Sequence, residues 1–247
     1  MQLFWDSILE AVRLLGSLNS YVFQVIGLSL EISGSAVLIG LVIGIPLGLW
    51  LGLSSFRGRS VFVALLNTGL GLPPVVVGLF VLMMLSRRGP LGFLGILYSP
   101  PAMVIAQVIL ATPYVAAITM SAVASLPPEM RLQALGLGAS RVQAVWSVLK
   151  EARVGVMTGV IAGFGAVISE VGAVMMVGGN IATTDGNKTR VLTTAIVQEA
   201  RMGHFGTAMA LGLILLSLAF SAMFLLTRFQ GRSPGTRNGA RWSGAKS

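Results

Sequence analysis

The apolar residues of this chain fall in long, uninterrupted runs separated by shorter polar connectors. A helix needs roughly 20 apolar residues to cross a bilayer. Because the runs are continuous and do not alternate, they favour helices over a closed barrel. The pattern predicts an all-α integral membrane protein with about five transmembrane helices. The predicted spans are 33–53, 61–86, 101–125, 154–178 and 205–228, with residues 20–32 as an apolar lead-in to the first.

The two ends of the chain differ from the spans, so we divide the chain into three parts. Residues 1–20 are predicted to form an amphipathic helix that lies in the membrane interface, because polar residues recur there at helical spacing. Those polar residues are Asp6, Glu10, Arg13 and Ser17. Residues 21–228 form the predicted transmembrane domain. Residues 229–247 are rich in Gly, Ser and Arg, which predicts a disordered basic tail in the cytoplasm.

Composition and charge agree with a membrane location. Hydrophobic residues make up 55% of the chain and charged residues only 10%, against about 25% charged in soluble domains. The net charge of +9 is interpreted as retention of loops in the cytoplasm and contact with anionic lipid; nucleic acid is not an expected partner. With the amino terminus outside and the carboxyl terminus inside, eleven of the seventeen Lys and Arg residues face the cytoplasm.

Residue types limit the possible chemistry. The chain has no cysteine and one histidine, His204, which excludes disulfides and thiolate metal sites and disfavours a membrane enzyme. A secondary transporter is the alternative from another class. It would need a coupling-ion site and usually shows internal repeats, and the sequence has neither a convincing acidic pair nor five-span symmetry.

Several features inside the spans predict local structure. Pro46 and the pair Pro73-Pro74 remove helix hydrogen bonds, so kinks or breaks are expected there. Small residues spaced by four allow helices to approach closely, either within the chain or at a dimer seam. One such series is Gly40, Gly44, Gly48 and Gly52, and a second is Gly155, Gly159 and Gly163.

Residues 126–153 form the one long helical stretch between spans that is too polar to enter lipid. The pattern predicts a helix, a break at Gly138-Ala139-Ser140 and a second amphipathic helix. Such a pair could dock a partner or cap the bundle.

Four motifs carry a family resemblance, and they occur in order. They are LLNTGLGLPPVVVGL at 65–79, LGLGAS at 135–140, ISEVGAVMMVGGNIA at 168–182 and TRVLTTAIVQE at 189–199. Together they resemble permeases of the tungstate and molybdate type of ABC importer, and residues 126–153 resemble the coupling loop of such permeases. Two positions depart from the coupling-loop pattern: its glutamate falls on Leu132 or Gln133, and Lys150-Glu151 replaces its closing Leu-Pro.

The resemblance implies a type I ABC importer permease fold in the cytoplasmic membrane of a prokaryote. It implies a second permease copy (a homodimer), two cytoplasmic ATPase subunits and an external substrate-binding protein. ATP and Mg would be bound by the ATPase, and no cofactor by this chain. Its three lysines, Lys150, Lys188 and Lys246, all lie outside any GxxxxGK[ST] phosphate loop. The cargo is expected to be an oxyanion, with tungstate as the first choice and molybdate as the second.

Two sets of site residues follow. The resemblance implies that the residues nearest the ATPase are Gln133, Ala134, Gly138, Ala139, Ser140 and Arg141. The candidates for the translocation pathway are the neutral donors Asn67, Thr112, Thr119 and Ser169. An acid within a span is a functional hypothesis by default, but an ionised Glu170 at about 6 Å would repel each unit of anion charge by roughly 3 kcal/mol. Glu170 is therefore predicted to be a structural or pathway acid, not a direct ligand in its charged form.

Overall fold

The computed structural model describes residues 5, 6, 8, 9, 12, 13, 20–183 and 186–231. Seven positions of the predicted interfacial helix, 1–20, are therefore described, and all seven are helical. The other positions of 1–20 lie outside the described residues, as do residues 232–247 of the predicted tail. The interfacial helix and the disordered tail stay predictions.

The described part of the chain is almost entirely helical, which confirms the predicted class. The helices are α1 Ser20–Leu53, α2 Arg59–Leu70, α3 Pro74–Leu85, α4 Pro100–Ala124, α5 Glu129–Gly136, α6 Arg141–Glu151, α7 Arg153–Ile168, α8 Gly172–Gly178, α9 Leu192–Arg201 and α10 Phe205–Gly231. A 3₁₀ turn occupies Gly92–Leu94, and two-residue strands, β1 Ala182–Thr183 and β2 Gly186–Asn187, pair antiparallel.

Three described helices, α1, α4 and α10, are each long and apolar enough to cross a membrane. Two bent pairs, α2 with α3 and α6 with α7, bring the count to at most five by length and composition. The predicted lead-in at 20–32 and the first predicted span form one helix, because α1 runs without interruption for 34 residues and passes through Pro46. At 1.5 Å per residue α1 measures about 51 Å, which exceeds the hydrocarbon thickness of about 30 Å.

The break predicted at Pro73-Pro74 is confirmed. The axes of α2 and α3 differ by 102°. Pro73 is the residue before α3 and Pro74 is its first residue, where the missing N–H costs no helix hydrogen bond.

The predicted fourth span, 154–178, is wrong as one continuous helix. It ends at Ile168 and restarts at Gly172, so Ser169, Glu170 and Val171 form a break. Contacts from other elements stabilise this break: Gln107 Nε2 donates to Val167 O at 3.1 Å, and Thr193 Oγ1 donates to Glu170 O at 2.9 Å.

Helix α4 lies at the centre of the bundle, and both glycine series pack against it. A Cβ added at Gly48 of α1 would lie 2.6 Å from Ala116 O of α4, and one added at Gly155 of α7 would lie 2.2 Å from Ala122 Cβ. Both glycine series therefore pack within the chain against α4. Helices α3 and α8 also touch closely, since a Cβ at Gly78 would lie 2.6 Å from Ala173 Cα.

The polar connector 179–204 is folded where it is described. Ile181 N donates to Thr189 Oγ1 at 2.8 Å, and Arg190 Nε donates to Asn180 Oδ1 at 3.2 Å. Ser29 of α1 accepts from Leu192 N at 2.9 Å, so the beginning of α9 is attached to the first transmembrane helix.

Candidate functional site

The six residues predicted to lie nearest an ATPase lie in the turn between α5 and α6 or in the helices on either side of it. Helix α5 ends with hydrogen bonds from Leu137 N to Gln133 O and from Ala139 N to Ala134 O, both 3.0 Å. Gly138 then adopts φ +89°, a left-handed conformation that favours glycine. The predicted break at 138–140 is therefore confirmed, and its glycine is required by the backbone.

Ser140 starts the second helix of this pair. Its Oγ accepts from Gln143 N at 3.3 Å, and its own N–H donates to Gln143 Oε1 at 2.7 Å. This reciprocal capping box fixes the beginning of α6. Of the six predicted residues, four are exposed, namely Gln133, Gly138, Ser140 and Arg141, and Ala134 and Ala139 are half-buried.

Four large apolar side chains surround this turn and face solvent. The exposed fractions are 65% for Leu132, 90% for Leu137, 79% for Val142 and 60% for Trp146. We call these four residues the coupling surface. The opposite side of α6 is buried, with Ala144 and Val148 against the bundle. An apolar cluster exposed on an otherwise polar segment marks an interaction site.

The six predicted coupling residues include none of the four members of the coupling surface. Val142 and Trp146 are spaced by four on α6, whereas Ala144 and Val148 lie on its other face. A second apolar stripe on a short polar helix is the signal that could have identified them.

Two neighbouring cavities run along α2, α4 and α7, and Leu70 lines both. The larger cavity has a volume of about 600 Å³, and its polar side chains are Asn67, Ser121, Ser125 and Thr158. The smaller has a volume of about 230 Å³, and its polar side chains are Tyr114, Ser169 and Glu170. Three sequence candidates, Asn67, Ser169 and Glu170, therefore line these cavities.

The other two candidates, Thr112 and Thr119, lie elsewhere. Thr112 Oγ1 donates to Val108 O at 2.7 Å within α4. Thr119 is fully buried, its Oγ1 has no hydrogen-bond partner, and a Cβ added at Gly48 would lie 2.8 Å from its Cβ. Neither threonine lines either cavity, so the structure places both in helix packing.

The cavity walls contain hydroxyls that the sequence prediction did not select. Ser121 and Ser125 share one face of α4 with Tyr114 and Ile118, at positions i, i+4, i+7 and i+11. That spacing is a helical stripe. Tyr114 OH donates to Leu70 O at 3.1 Å, which connects α4 to the end of α2 beside the proline break.

Glu170 stabilises the break by its side chain and by its backbone. Its Oε1 accepts from Ala173 N at 2.9 Å, in the first turn of α8, while its carbonyl accepts from Thr193. The side chain is half-buried and lines the smaller cavity. The carboxyl group therefore caps a helix and also borders the space that a solute would occupy.

Over most of its length, the chain is similar to membrane subunits of ABC transporters. The family model for binding-protein-dependent transport system inner membrane components matches residues 44–233. A protein of Haloferax volcanii described as a probable anion ABC transporter permease is 44% identical, with 91% of this chain and 97% of that protein covered. A tungstate uptake system permease of Peptoclostridium acidaminophilum is 39% identical, with 90% and 95% covered.

Solved structures agree on the fold. A bacterial alginate ABC transporter in complex with an alginate pentasaccharide-bound periplasmic protein aligns with a TM-score of 0.72 at 19% identity, with 91% of this chain and 86% of that chain covered. The type I importer permease fold predicted from the resemblance is thereby confirmed.

Proposed function

This chain belongs to the family of binding-protein-dependent transport system inner membrane components, and we propose that it forms the translocation pathway for an oxyanion, with tungstate as the preferred cargo. It is a multi-pass membrane protein and a transport subunit of the ABC importer class. In the proposed importer, two copies pair, two cytoplasmic ATPase subunits bind ATP and Mg, and an external protein delivers the anion. The amino terminus lies outside and the carboxyl terminus inside.

The coupling surface is the observation that carries this proposal. Four large apolar side chains are exposed around a turn that requires a residue with positive φ, Gly138. On a monomer in water such a cluster is costly, and docking of an ATPase subunit would bury it. The six predicted coupling residues lie at the same turn, so the ATPase groove would contact both sets.

The cavity walls support an anionic cargo. The larger cavity offers an amide and three hydroxyls and no acidic side chain, and neutral donors can bind an oxyanion without the desolvation cost of a buried charge. The smaller cavity adds Glu170, whose Oε1 already accepts from Ala173 N. Tungstate and molybdate carry the same charge and are nearly the same size, so molybdate is the second candidate.

Uptake measurements test the cargo. Cells lacking this permease and complemented with the full chain should accumulate labelled tungstate, and molybdate should compete with it. Uptake of sulfate or phosphate in place of both would contradict the proposal.

A pull-down tests the mechanism of energy coupling. A tagged permease should retain an ATPase subunit, and anion uptake should stop when ATP hydrolysis is inhibited. Uptake that continues without ATP hydrolysis and follows an ion gradient would instead support the secondary transporter.

A further inference from the structure

A third cavity lies between the ends of the membrane helices and the helices α5 and α6, which we call the coupling pair. Its volume is about 640 Å³. Its walls come from the end of α1 (Gly52 and Leu53), the end of α4 and the connector that leads to α5. It is therefore distinct from the coupling surface, although Leu132 borders both and Arg141 is also one of the six predicted coupling residues.

The charge on the cavity walls has one sign. Arg131 and Arg141 are its only charged residues, and every other lining residue is apolar or glycine. Arg131 Nε is buried and has no hydrogen-bond partner in the part of the chain that the structure describes. Within the described residues, neither arginine forms an ion pair with an acidic side chain. A buried guanidinium N–H without an acceptor is costly, and a charge-assisted bond to phosphate or carboxylate removes that cost.

The apolar walls narrow the choice of anion. Leu53, Val123, Leu126 and Leu135 line the cavity beside the two arginines. A free tetrahedral oxyanion would bind the guanidinium groups but would leave these side chains against water. A phospholipid presents a phosphate and hydrocarbon in one molecule, and Lys and Arg at the cytoplasmic surface attract anionic lipid.

We propose that this cavity binds the headgroup phosphate of an anionic phospholipid of the inner leaflet, with Arg131 and Arg141 as its ligands. The proposal rests on the proposed orientation, which places the coupling pair in the cytoplasm. The bound lipid would fill the space between the membrane helices and the coupling pair, and so hold the coupling surface in place for the ATPase.

Lipid competition on the purified full-length permease tests the site. The permease is mixed with equal amounts of phosphatidylglycerol and phosphatidylcholine, and native mass spectrometry counts the bound molecules. We expect a preference for phosphatidylglycerol that falls about fivefold for each of R131Q and R141Q, since each arginine near the surface contributes about 1 kcal/mol. R131K, which keeps the charge, should retain most of the preference.

The matched control is R153Q, because Arg153 is exposed at the start of α7 and does not line the cavity. Its lipid preference should equal that of the unmodified permease. Equal losses in R153Q and R131Q, or no loss in an R131Q/R141Q double variant that still melts cooperatively, would overturn the proposal.

Two further measurements distinguish a bound lipid from other occupants of the cavity. Displacement of phosphatidylglycerol by millimolar inorganic phosphate or tungstate would show that the site binds a free anion. Expulsion of the lipid when the ATPase is added would assign the cavity to the ATPase. Either result would overturn the proposal. Because binding is measured without transport, failure here leaves the uptake test unaffected, and failure of tungstate uptake leaves this site unaffected.

Discussion

At the scale of single residues, two positions combine a clear geometry with a predicted function. Gly138 is one of the residues that the resemblance to a coupling loop implies, and the structure adds a physical reason for a glycine there, a φ of +89°. Glu170 was predicted on electrostatic grounds to be a structural or pathway acid, and the structure adds the hydrogen bond that its Oε1 accepts from Ala173 N. In both cases the residue type could be read from the sequence, whereas the geometry depends on the fold.

Gly138→Ala should weaken the coupling of ATP hydrolysis to uptake. A Cβ at Gly138 would meet nothing within 4 Å, so the cost is backbone strain of about 1–2 kcal/mol, which would shift the turn and the coupling surface with it. The measurement is the ratio of anion uptake to ATP hydrolysis in reconstituted vesicles.

Gly136→Ala is the control for that variant. Gly136 is the last residue of α5 and also has open space around it, and it is not among the residues with positive φ. The coupling ratio should therefore stay unchanged, and an equal loss in both variants would contradict the argument from φ.

Glu170→Gln should preserve folding better than Glu170→Ala. Gln keeps an oxygen that can accept from Ala173 N, whereas Ala removes the cap at a cost of about 1 kcal/mol. Thermal unfolding in detergent compares the two variants. If Glu170→Gln melts normally and assembles but no longer transports, the carboxylate has a role in the pathway that its capping bond does not explain.

At the scale of helices, the breaks show what the sequence could and could not predict. The breaks at Pro73-Pro74 and at 138–140 have local causes, a missing N–H in one case and a left-handed glycine in the other, so the sequence revealed both. The break at 169–171 depends on Gln107 and Thr193, which are distant in the chain. The local contribution, the hydrogen bond from Ala173 N to Glu170 Oε1, comes from a residue that the apolar pattern placed inside a span, so the sequence predicted one continuous span.

The packing of α1 on α4 gives a prediction at this scale. Gly48→Ala should destabilise the permease by about 1–3 kcal/mol, because the new methyl group would overlap Ala116 O. Gly34→Ala in the same helix meets nothing within 4 Å and should be neutral or slightly stabilising. Melting temperatures of the two variants in one detergent provide the comparison, and similar values would contradict the close contact.

At the scale of the whole molecule, the sequence predicted the class of fold and the place of the coupling pair, because both follow from hydrophobic patterning and ordered motifs. It did not predict the cavities. Asn67 is far from Thr158 in the chain, and only the packing of α2, α4 and α7 brings them to one wall. Thr119 and Asn67 were both chosen as pathway candidates because they are polar residues inside a span, but Thr119 is buried in a helix contact.

Trp146→Ala should weaken binding of the ATPase subunits by more than tenfold, because a large aromatic at the centre of an interface contributes about 2 kcal/mol or more. Affinity of the purified permease for the ATPase is the measurement. Phe93→Ala is the control: Phe93 is 82% exposed and lies in a connector predicted to be on the outer side. Equal affinities for the two variants would show that the coupling surface is not the docking site.

The close contact between Gly78 and Ala173 has a mechanical consequence. Helices α3 and α8 each follow a break in a span, and at this contact their backbones almost touch. A side chain larger than hydrogen at Gly78 would push the two helices apart, because an added Cβ would lie 2.6 Å from Ala173 Cα. The proline break and the break at Glu170 are therefore joined through the two helices that follow them, and the spacing between those helices depends on Gly78.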